Sequence, residues 1–209
     1  MPDLSTLALF MSAGLALNIT PGPDMLYVIA RSASQGRAAG IVSAFGIAAG
    51  TLFHIAAVAL GLSAFLAAVP PAYAAVRIAG GCYLIYLAFR AFQSSARESA
   101  EIAVKPASMQ RIFAQGAITN ILNPKVALFF LAFLPQFTDP SRGSFAKQIL
   151  ILGLLFNTSG TVVNVLVAWF ASALTSRARS NAGAIRWLER LTGVVFAGLG
   201  LRLLASARR

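Results

Sequence analysis

The sequence predicts an all-α polytopic membrane protein of about six transmembrane helices, arranged as two inverted three-helix repeats with broken first and fourth helices. Apolar residues make up 58% of the 209 residues and charged residues only 11%, and long uncharged stretches recur along the chain. A soluble domain of this size needs more polar side chains to cover its surface. A helix needs about 20 apolar residues to cross a membrane, so the length accommodates five or six spans. We therefore predict a single transmembrane domain over residues 1–209.

The first half of the chain, residues 1–92, is predicted to hold three spans. The first covers residues 4–30 and ends at a loop over residues 31–37. The second runs without a charge over residues 38–69 and stops at a proline pair, because proline disfavours helical geometry in the residue before it. The third covers residues 72–92. Because the N-terminus lacks the basic flank of a secretory signal, we expect the first helix to be retained.

A polar connection at residues 93–110 separates this half from a second half at residues 111–209. The second half is predicted to span the membrane at residues 111–137, 145–175 and 185–205. Basic residues are more frequent in the connections one-two, three-four and five-six than in the other connections and the termini. Since cytoplasmic loops carry an excess of Lys and Arg, we predict that both termini face outward.

Proline interrupts the first helix of each half at a similar depth, at residues 18–24 and 120–125. Three spans in each half give the halves opposite orientations, which is the layout of inverted repeats. Proline cannot donate to the carbonyl four residues earlier, so Leu17, Ile19 and Asn120 would keep free carbonyls inside the membrane. Such groups are costly against lipid, and we expect the breaks to face protein or a watery cavity.

The residues after each break favour a restarted helix. Thr20 and Asn123 are suitable N-caps, and Pro21 and Pro124 suit the first helical turn. A restarted helix presents free N–H groups and a positive dipole end to a carboxylate, whereas the freed carbonyls suit an ammonium or another cation. A proline kink that only shapes packing is the alternative. The predicted substrate-binding residues are Asn18, Thr20, Pro21, Gly22, Pro23, Asp24, Asn120, Asn123, Pro124 and Lys125.

Asp24 and Lys125 occupy equivalent positions when Pro23 is aligned with Pro124, and both fall well inside spans. Ionisable residues within a membrane are costly and therefore are functional candidates. Our hypothesis is that the two side chains pair in one access state and separate in another, and a permanent ion pair is the alternative. Asp24 and His54 are the candidates for proton coupling, although a hydrogen-bonded packing role for His54 is the favoured interpretation.

Two helices carry further polar or small residues on one face. Gly46, Gly50 and, two turns later, Gly61 lie with His54 on the second helix, which indicates close packing against another helix. Asn157 and Asn164 share a face of the fifth helix and are predicted to make interhelical hydrogen bonds. A role for these asparagines in lining the transport pathway is the alternative.

Several function classes are excluded or disfavoured by composition. Cys82 is the only cysteine and His54 the only histidine, so a disulfide and a Cys- or His-rich metal site are excluded, and we predict no cofactor and no enzyme activity. The net charge of +11 suggests nucleic acid, but the basic residues flank apolar stretches and suit a lipid bilayer instead. An ion or metal exporter, a structural subunit, and an intramembrane protease around His54 and Ser63 remain as alternatives.

The chain resembles the LysE (RhtB) family of bacterial amino-acid exporters over nearly its whole length. The resemblance implies a cytoplasmic-membrane antiporter that exports amino acids or close derivatives as protons enter. It fixes neither the substrate nor the oligomeric state, and the small-residue faces are compatible with a homodimer. The segments that carry it are Asn18-Ile-Thr-Pro-Gly-Pro-Asp24, Arg31 through Gln35-Gly36-Arg37 to Gly40, Gly46-x-x-x-Gly50, Gly116-x-x-x-Asn120-x-x-Asn123-Pro124-Lys125 and Phe129-Phe130-x-x-Phe133-x-Pro135-Gln136-Phe137.

Overall fold

The computed structural model describes residues 3–62 and 105–174, together with isolated positions within 75–89 and 190–205. The isolated positions are helical and fall within the predicted third and sixth spans, which otherwise lie outside the described residues, as does most of the polar connection. In the two continuous ranges the α-helices are α1 (Leu4–Ile19), α2 (Pro23–Gln35), α3 (Arg37–Ala57), α4 (Met109–Ile121), α5 (Pro124–Leu128) and α6 (Phe145–Leu174).

The first and fourth spans are broken helices, as predicted. The axes of α1 and α2 differ by 47°, and those of α4 and the half-helix Pro124–Phe137 differ by 48°. This second half-helix consists of α5, a π-helical turn and a 3-10 turn. The stretches Arg37–Gly61 and Phe145–Ala171 are long and apolar enough to cross a membrane, so the described residues provide up to four spans by length and composition.

The two broken helices run in opposite directions, as inverted repeats require. Arg142, which follows the second broken helix, lies 3.9 Å from Asp3 at the start of the first. At the other end, the Gln35 side chain donates to the carbonyl of Ala107 at 2.9 Å, beside the start of α4. These contacts put the N-terminus and connection four-five on one side and connections one-two and three-four on the other. Which side faces the cytoplasm stays a prediction.

The predicted N-cap at Thr20 is wrong, because Thr20 ends α1 instead of starting α2. Its hydroxyl donates to the carbonyl of Ala16 at 2.6 Å, a bond that Thr readily makes to the residue four positions earlier in a helix. The chain stays extended through Gly22, and α2 begins at Pro23 without a side-chain cap. Pro23 rather than Pro21 therefore occupies the first helical turn.

The predicted N-cap in the second half is confirmed. The Asn123 side chain accepts a hydrogen bond from the main-chain N–H of Lys125 at 3.0 Å, and Pro124 is the first residue of α5. The two breaks are therefore matched in angle and differ in their local chemistry. The helix after the second break is capped by the Asn123 side chain, whereas the helix after the first break has no side-chain cap.

The loop predicted at residues 31–37 is a single residue, Gly36. Its φ of 84° is accessible to glycine without strain, so the chain leaves α2 and enters α3 within one residue. The predicted second span is also interrupted earlier than expected. Gly61 has a non-helical φ of 142° within the π-helical turn Val58–Leu62, and residues 63–69 lie outside the described part of the chain.

Glycines let α3 cross α4 at close range, which confirms the packing predicted for Gly46 and Gly50. A Cβ at Gly46 would overlap the carbonyl oxygen of Phe113, and one at Gly50 would lie 2.6 Å from that of Ala117. Gly116 contributes from α4 in the same way. Gly61 does not share this role, because no described residue lies within 4 Å of a Cβ there. The halves thus meet at a crossing of small residues.

An aromatic core holds the second half-helix against α1 and α6. The Phe129 ring stacks on Phe156 at 4.7 Å between ring centres, and Phe10 meets Phe137 edge-on at 5.3 Å. The rings of this core belong to Phe10, Phe129, Phe130, Phe133, Phe137 and Phe156. Such ring pairs stabilise beyond the apolar area they bury. They fix the second break against the helices that surround it.

Candidate functional site

A cavity that is open at its mouth lies between the two helix breaks. Helices from both halves line it, because the breaks bring α1, α2, α4 and α5 together against α3 and α6. Five of the predicted binding residues are on its wall: Asn18, Thr20, Asp24, Asn120 and Lys125. The predicted residues Pro21, Gly22, Pro23, Asn123 and Pro124 shape the breaks and are not among the described lining residues.

The ammonium of Lys125, in the second half, binds main-chain carbonyls at the helix break of the first half. Its Nζ donates to the main-chain carbonyls of Leu17 at 3.2 Å and Thr20 at 3.1 Å. The approach depends on Gly22, where a Cβ would lie only 3.0 Å from Nζ. The carbonyl of Leu17, predicted to be free, is therefore satisfied by a cation from the second half. An ammonium has three donors, so the described contacts leave one N–H of Lys125 for a ligand.

Asp24 lies in the first turn of α2, where the positive end of the helix dipole favours a carboxylate. Its Oδ2 accepts from the Asn120 side chain at 2.9 Å. Its Oδ1 is buried and has no hydrogen-bond partner among the described residues. No ion pair joins Asp24 to Lys125 in the described part of the chain. The proposed switching of this pair stays a prediction.

Asn120 connects Asp24 to α3. Its Oδ1 lies 3.3 Å from the hydroxyl of Thr51, and its main-chain carbonyl lies 3.1 Å from Nε2 of His54. Because a carbonyl only accepts, this contact assigns a proton to Nε2. This carbonyl also accepts from the main-chain N–H of Asn123 at 2.9 Å, so His54 adds a contact from the first half. The carbonyl of Leu17, by contrast, is bound by Lys125 from the second half.

His54 occupies a packing position. Its ring is buried and stacks on Phe130 at 5.9 Å between centres, and it is absent from the described lining of the cavity. Its nearest functional neighbour is Asn120, which in turn binds Asp24. This geometry agrees with the favoured interpretation of a hydrogen-bonded packing histidine. The proton-coupling role assigned to His54 stays a prediction.

Asn18 ties the first break to α6. Its side-chain amide donates to the hydroxyl of Ser159 at 3.0 Å and to the carbonyl of Phe156 at 3.3 Å. Gly160 permits this contact, because a Cβ there would lie 2.9 Å from Oδ1 of Asn18. Asn18 therefore both lines the cavity and positions one of its walls.

Three polar residues of α6 line the cavity and were not predicted to bind substrate. They are Asn157, Thr161 and Asn164. The interhelical hydrogen bonds predicted for the two asparagines are not found, since neither side chain has a hydrogen-bond partner among the described residues. Their spacing on one face of α6, with Thr161 between them, is the sequence feature that identifies this wall.

Arg31, predicted to lie in a loop, is buried in α2 with 3% exposure. Its guanidinium donates to the Tyr27 hydroxyl, to the side chains of Gln35 and Gln115 and to the carbonyl of Lys105, at distances from 2.6 to 3.2 Å. All four acceptors are uncharged. Because Lys105 and Gln115 belong to the connection and helix that open the second half, Arg31 fastens the two halves together beside α4.

Comparison of the sequence with known proteins identifies a family that matches most of the chain. The model of the LysE type translocators matches residues 15–207. The threonine efflux protein of Escherichia coli K12 is 24% identical over 90% of this chain and 92% of its own length. The homoserine/homoserine lactone efflux protein of Salmonella typhimurium is 27% identical over 95% of both chains. An uncharacterized membrane protein of Vibrio cholerae is 26% identical over 99% of both.

No solved structure gives a significant match to the chain. The family match covers both helix breaks, the α3–α4 crossing and the whole cavity wall. The apolar helices agree with a multi-pass protein of the bacterial cytoplasmic membrane. The chain therefore belongs to the LysE type translocator family.

Proposed function

We propose that the protein is a proton-coupled secondary exporter of amino acids or their close derivatives. Two similar proteins are named for the efflux of threonine and of homoserine or its lactone, which supports this substrate class. The observation that carries the proposal is that Asp24 and Lys125, with opposite charges, line one buried cavity and each retain unused hydrogen-bonding capacity. An amino acid carries an ammonium, which complements Asp24, and a carboxylate, which complements Lys125.

In this proposal Asp24 binds the ammonium of the substrate and Lys125 binds its carboxylate. Oδ1 of Asp24 has no described partner, and an incoming N–H would satisfy it. The third N–H of Lys125 is available to a carboxylate, and such charge-assisted bonds are strong in a buried site. Asn120 holds Asp24 in place through its side-chain amide. Neutralising both charges of the zwitterion offsets its removal from water.

Coupling to protons follows from competition at Asp24. A carboxylate inside a membrane is costly, so a proton and the substrate ammonium compete for Asp24 during transport. Proton entry from outside then displaces the substrate, and release of the proton inside prepares Asp24 for another molecule. The resulting exchange is antiport. His54 contacts the main-chain carbonyl of Asn120. In this proposal that contact positions Asn120, whose side-chain amide binds Asp24.

Alternating access would come from rocking of the two halves of one transport domain about the cavity. The glycine crossing of α3 and α4 provides a close contact on which they can turn, and the bent helices provide two hinges. In the described state the ammonium of Lys125 is held by carbonyls of the first half. A movement that releases it would free Lys125 to pair with Asp24 in an empty state.

Purified protein in proteoliposomes tests the proposal. A panel of labelled amino acids is scored for counterflow, and the best substrate is then followed under an imposed pH gradient. We expect the gradient to drive accumulation by the wild type. Asp24→Asn keeps a hydrogen-bonding side chain without a charge. We expect this variant not to accumulate substrate in response to the pH gradient. An unchanged response in this variant removes Asp24 from coupling, and no counterflow with any amino acid contradicts export of this class.

A further inference from the structure

We propose that α6 carries the specificity site of the transporter, where Asn157, Thr161 and Asn164 bind the side chain of the transported amino acid and select uncharged side chains ending in a hydroxyl or carboxamide. This inference rests on the proposed export of amino acids. In that function Asp24 and Lys125 bind the ammonium and the carboxylate of the substrate. The residues of α6 would bind its side chain.

The three residues form one polar face on a largely apolar helix. They lie four and then three positions apart, which places them on the same side of α6, and all three line the cavity. The opposite faces of α6 carry exposed apolar residues such as Val162, Leu166 and Phe170, which suit lipid or the neighbouring spans. Polar groups therefore occur where α6 meets the cavity.

Asn164 is a buried residue, with 8% of its surface exposed, and its side chain lines the cavity without a hydrogen-bond partner among the described residues. Asn157 also lacks a described partner for its side chain. The other amides that line the cavity differ in this respect. Asn18 binds Ser159 and the carbonyl of Phe156, and Asn120 binds Asp24 and Thr51. Amides that face a cavity inside a protein are normally paired, so the unpaired side chains of the buried Asn164 and the half-buried Asn157 have hydrogen-bonding capacity for a ligand.

Thr161 extends the same surface. Its hydroxyl donates to the carbonyl of Asn157 at 2.7 Å, so its oxygen remains an acceptor for a ligand. The amides on either side offer both donors and acceptors. A hydroxyl or carboxamide on the substrate both donates and accepts, and it can satisfy this set. An aliphatic side chain would leave the amides unpaired when the cavity closes.

The charge of the cavity excludes a charged side chain. Asp24 and Lys125 are the only ionisable side chains among the described residues that line it. Once they bind the ammonium and carboxylate of the substrate, a third charge would have no partner in a buried site. The preferred substrates are therefore neutral amino acids.

Threonine and valine provide a matched pair, because they have nearly the same shape and differ by a hydroxyl in place of a methyl. The measurement is the ratio of their initial counterflow rates at low concentration in proteoliposomes. We expect wild-type protein to favour threonine by at least about tenfold, since a site built for hydrogen bonds rejects an analogue that lacks them. Labelled lysine and glutamate should give no counterflow.

Asn164→Leu and Asn157→Leu replace an amide by an apolar side chain of similar size. We expect each to reduce the threonine-to-valine ratio by at least about tenfold while valine transport is retained or rises. Thr158→Val is the matched control, because Thr158 is exposed on another face of α6. This control should keep the wild-type ratio. Retained valine transport also shows that a variant is folded.

The outcomes separate this inference from the proposed function. If wild-type protein transports threonine and valine equally, or if both leucine variants keep the wild-type ratio, the specificity site is wrong and amino-acid export still stands. If no amino acid gives counterflow with wild-type protein, both proposals are wrong. Should one leucine variant fail to fold, the other variant and the wild-type ratio still decide.

Discussion

The ammonium of Lys125, in the second half of the chain, lies 3.2 Å from the carbonyl of Leu17 in the first half. In return, the side chain of His54 in the first half lies 3.1 Å from the carbonyl of Asn120 in the second. Both carbonyls lose their usual helical partner to a proline, although the carbonyl of Asn120 also accepts from the main-chain N–H of Asn123. Each half therefore contacts the broken backbone of the other, and Leu17, Asn120 and Lys125 line the cavity.

Removing the donor at position 125 should weaken the first break. Lys125→Met and Lys125→Gln both remove the buried charge, but only glutamine keeps an amide that can donate to the carbonyls of Leu17 and Thr20. We expect the methionine variant to be less stable than the glutamine variant by about 0.5–1.5 kcal/mol. Thermal unfolding of both proteins in detergent measures the difference. Equal stabilities would mean that the ammonium does not support the break.

Separating α3 from α4 should destabilise the contact between the halves. In Gly46→Ala the added methyl overlaps the carbonyl oxygen of Phe113, so the two helices must move apart. Overpacking of this kind costs about 1–3 kcal/mol. The control is Gly198→Ala, since no described residue lies within 4 Å of a Cβ at Gly198. Comparison of their apparent melting temperatures in detergent checks the expectation, and a Gly46→Ala protein as stable as the control would contradict it.

Arginine at position 31 should not be replaceable by lysine, although the charge is unchanged. The guanidinium contacts four acceptors at once, and the compact ammonium of lysine cannot reach all of them. Each buried acceptor left unpaired costs about 1–3 kcal/mol. We expect Arg31→Lys to lower the melting temperature, whereas the exposed Arg111 should tolerate the same change. Similar behaviour of the two variants would show that the network is dispensable.

Local chain chemistry predicted the broken helices and the glycine crossing well. The effect of proline on the preceding turn and the need of Gly46 and Gly50 for close packing are properties of short segments. The prediction that Thr20 caps α2 is wrong because a threonine hydroxyl can also bond to the carbonyl four residues earlier. The chain is extended at Gly22, so α2 starts only at Pro23, and the hydroxyl of Thr20 bonds to Ala16.

The remaining differences depend on partners distant in sequence. Arg31 looked like a loop residue because its acceptors at Lys105 and Gln115 lie more than seventy positions away. The asparagines of α6 looked like interhelical packing groups, and only the folded arrangement shows a cavity in front of them. A single sequence gives the face on which a side chain lies, but not what lies opposite that face.

Protection of a cysteine in the cavity tests most directly whether amino acids bind between the two breaks. With the single native cysteine removed as Cys82→Ser, Thr161→Cys places a thiol on the cavity wall, and Ser141→Cys places one in an exposed turn as a control. The rate of maleimide labelling is measured with and without the amino acid that gives the fastest counterflow. We predict that the amino acid slows labelling at position 161 and leaves position 141 unchanged. Labelling at position 161 that a transported amino acid does not slow would contradict binding in this cavity.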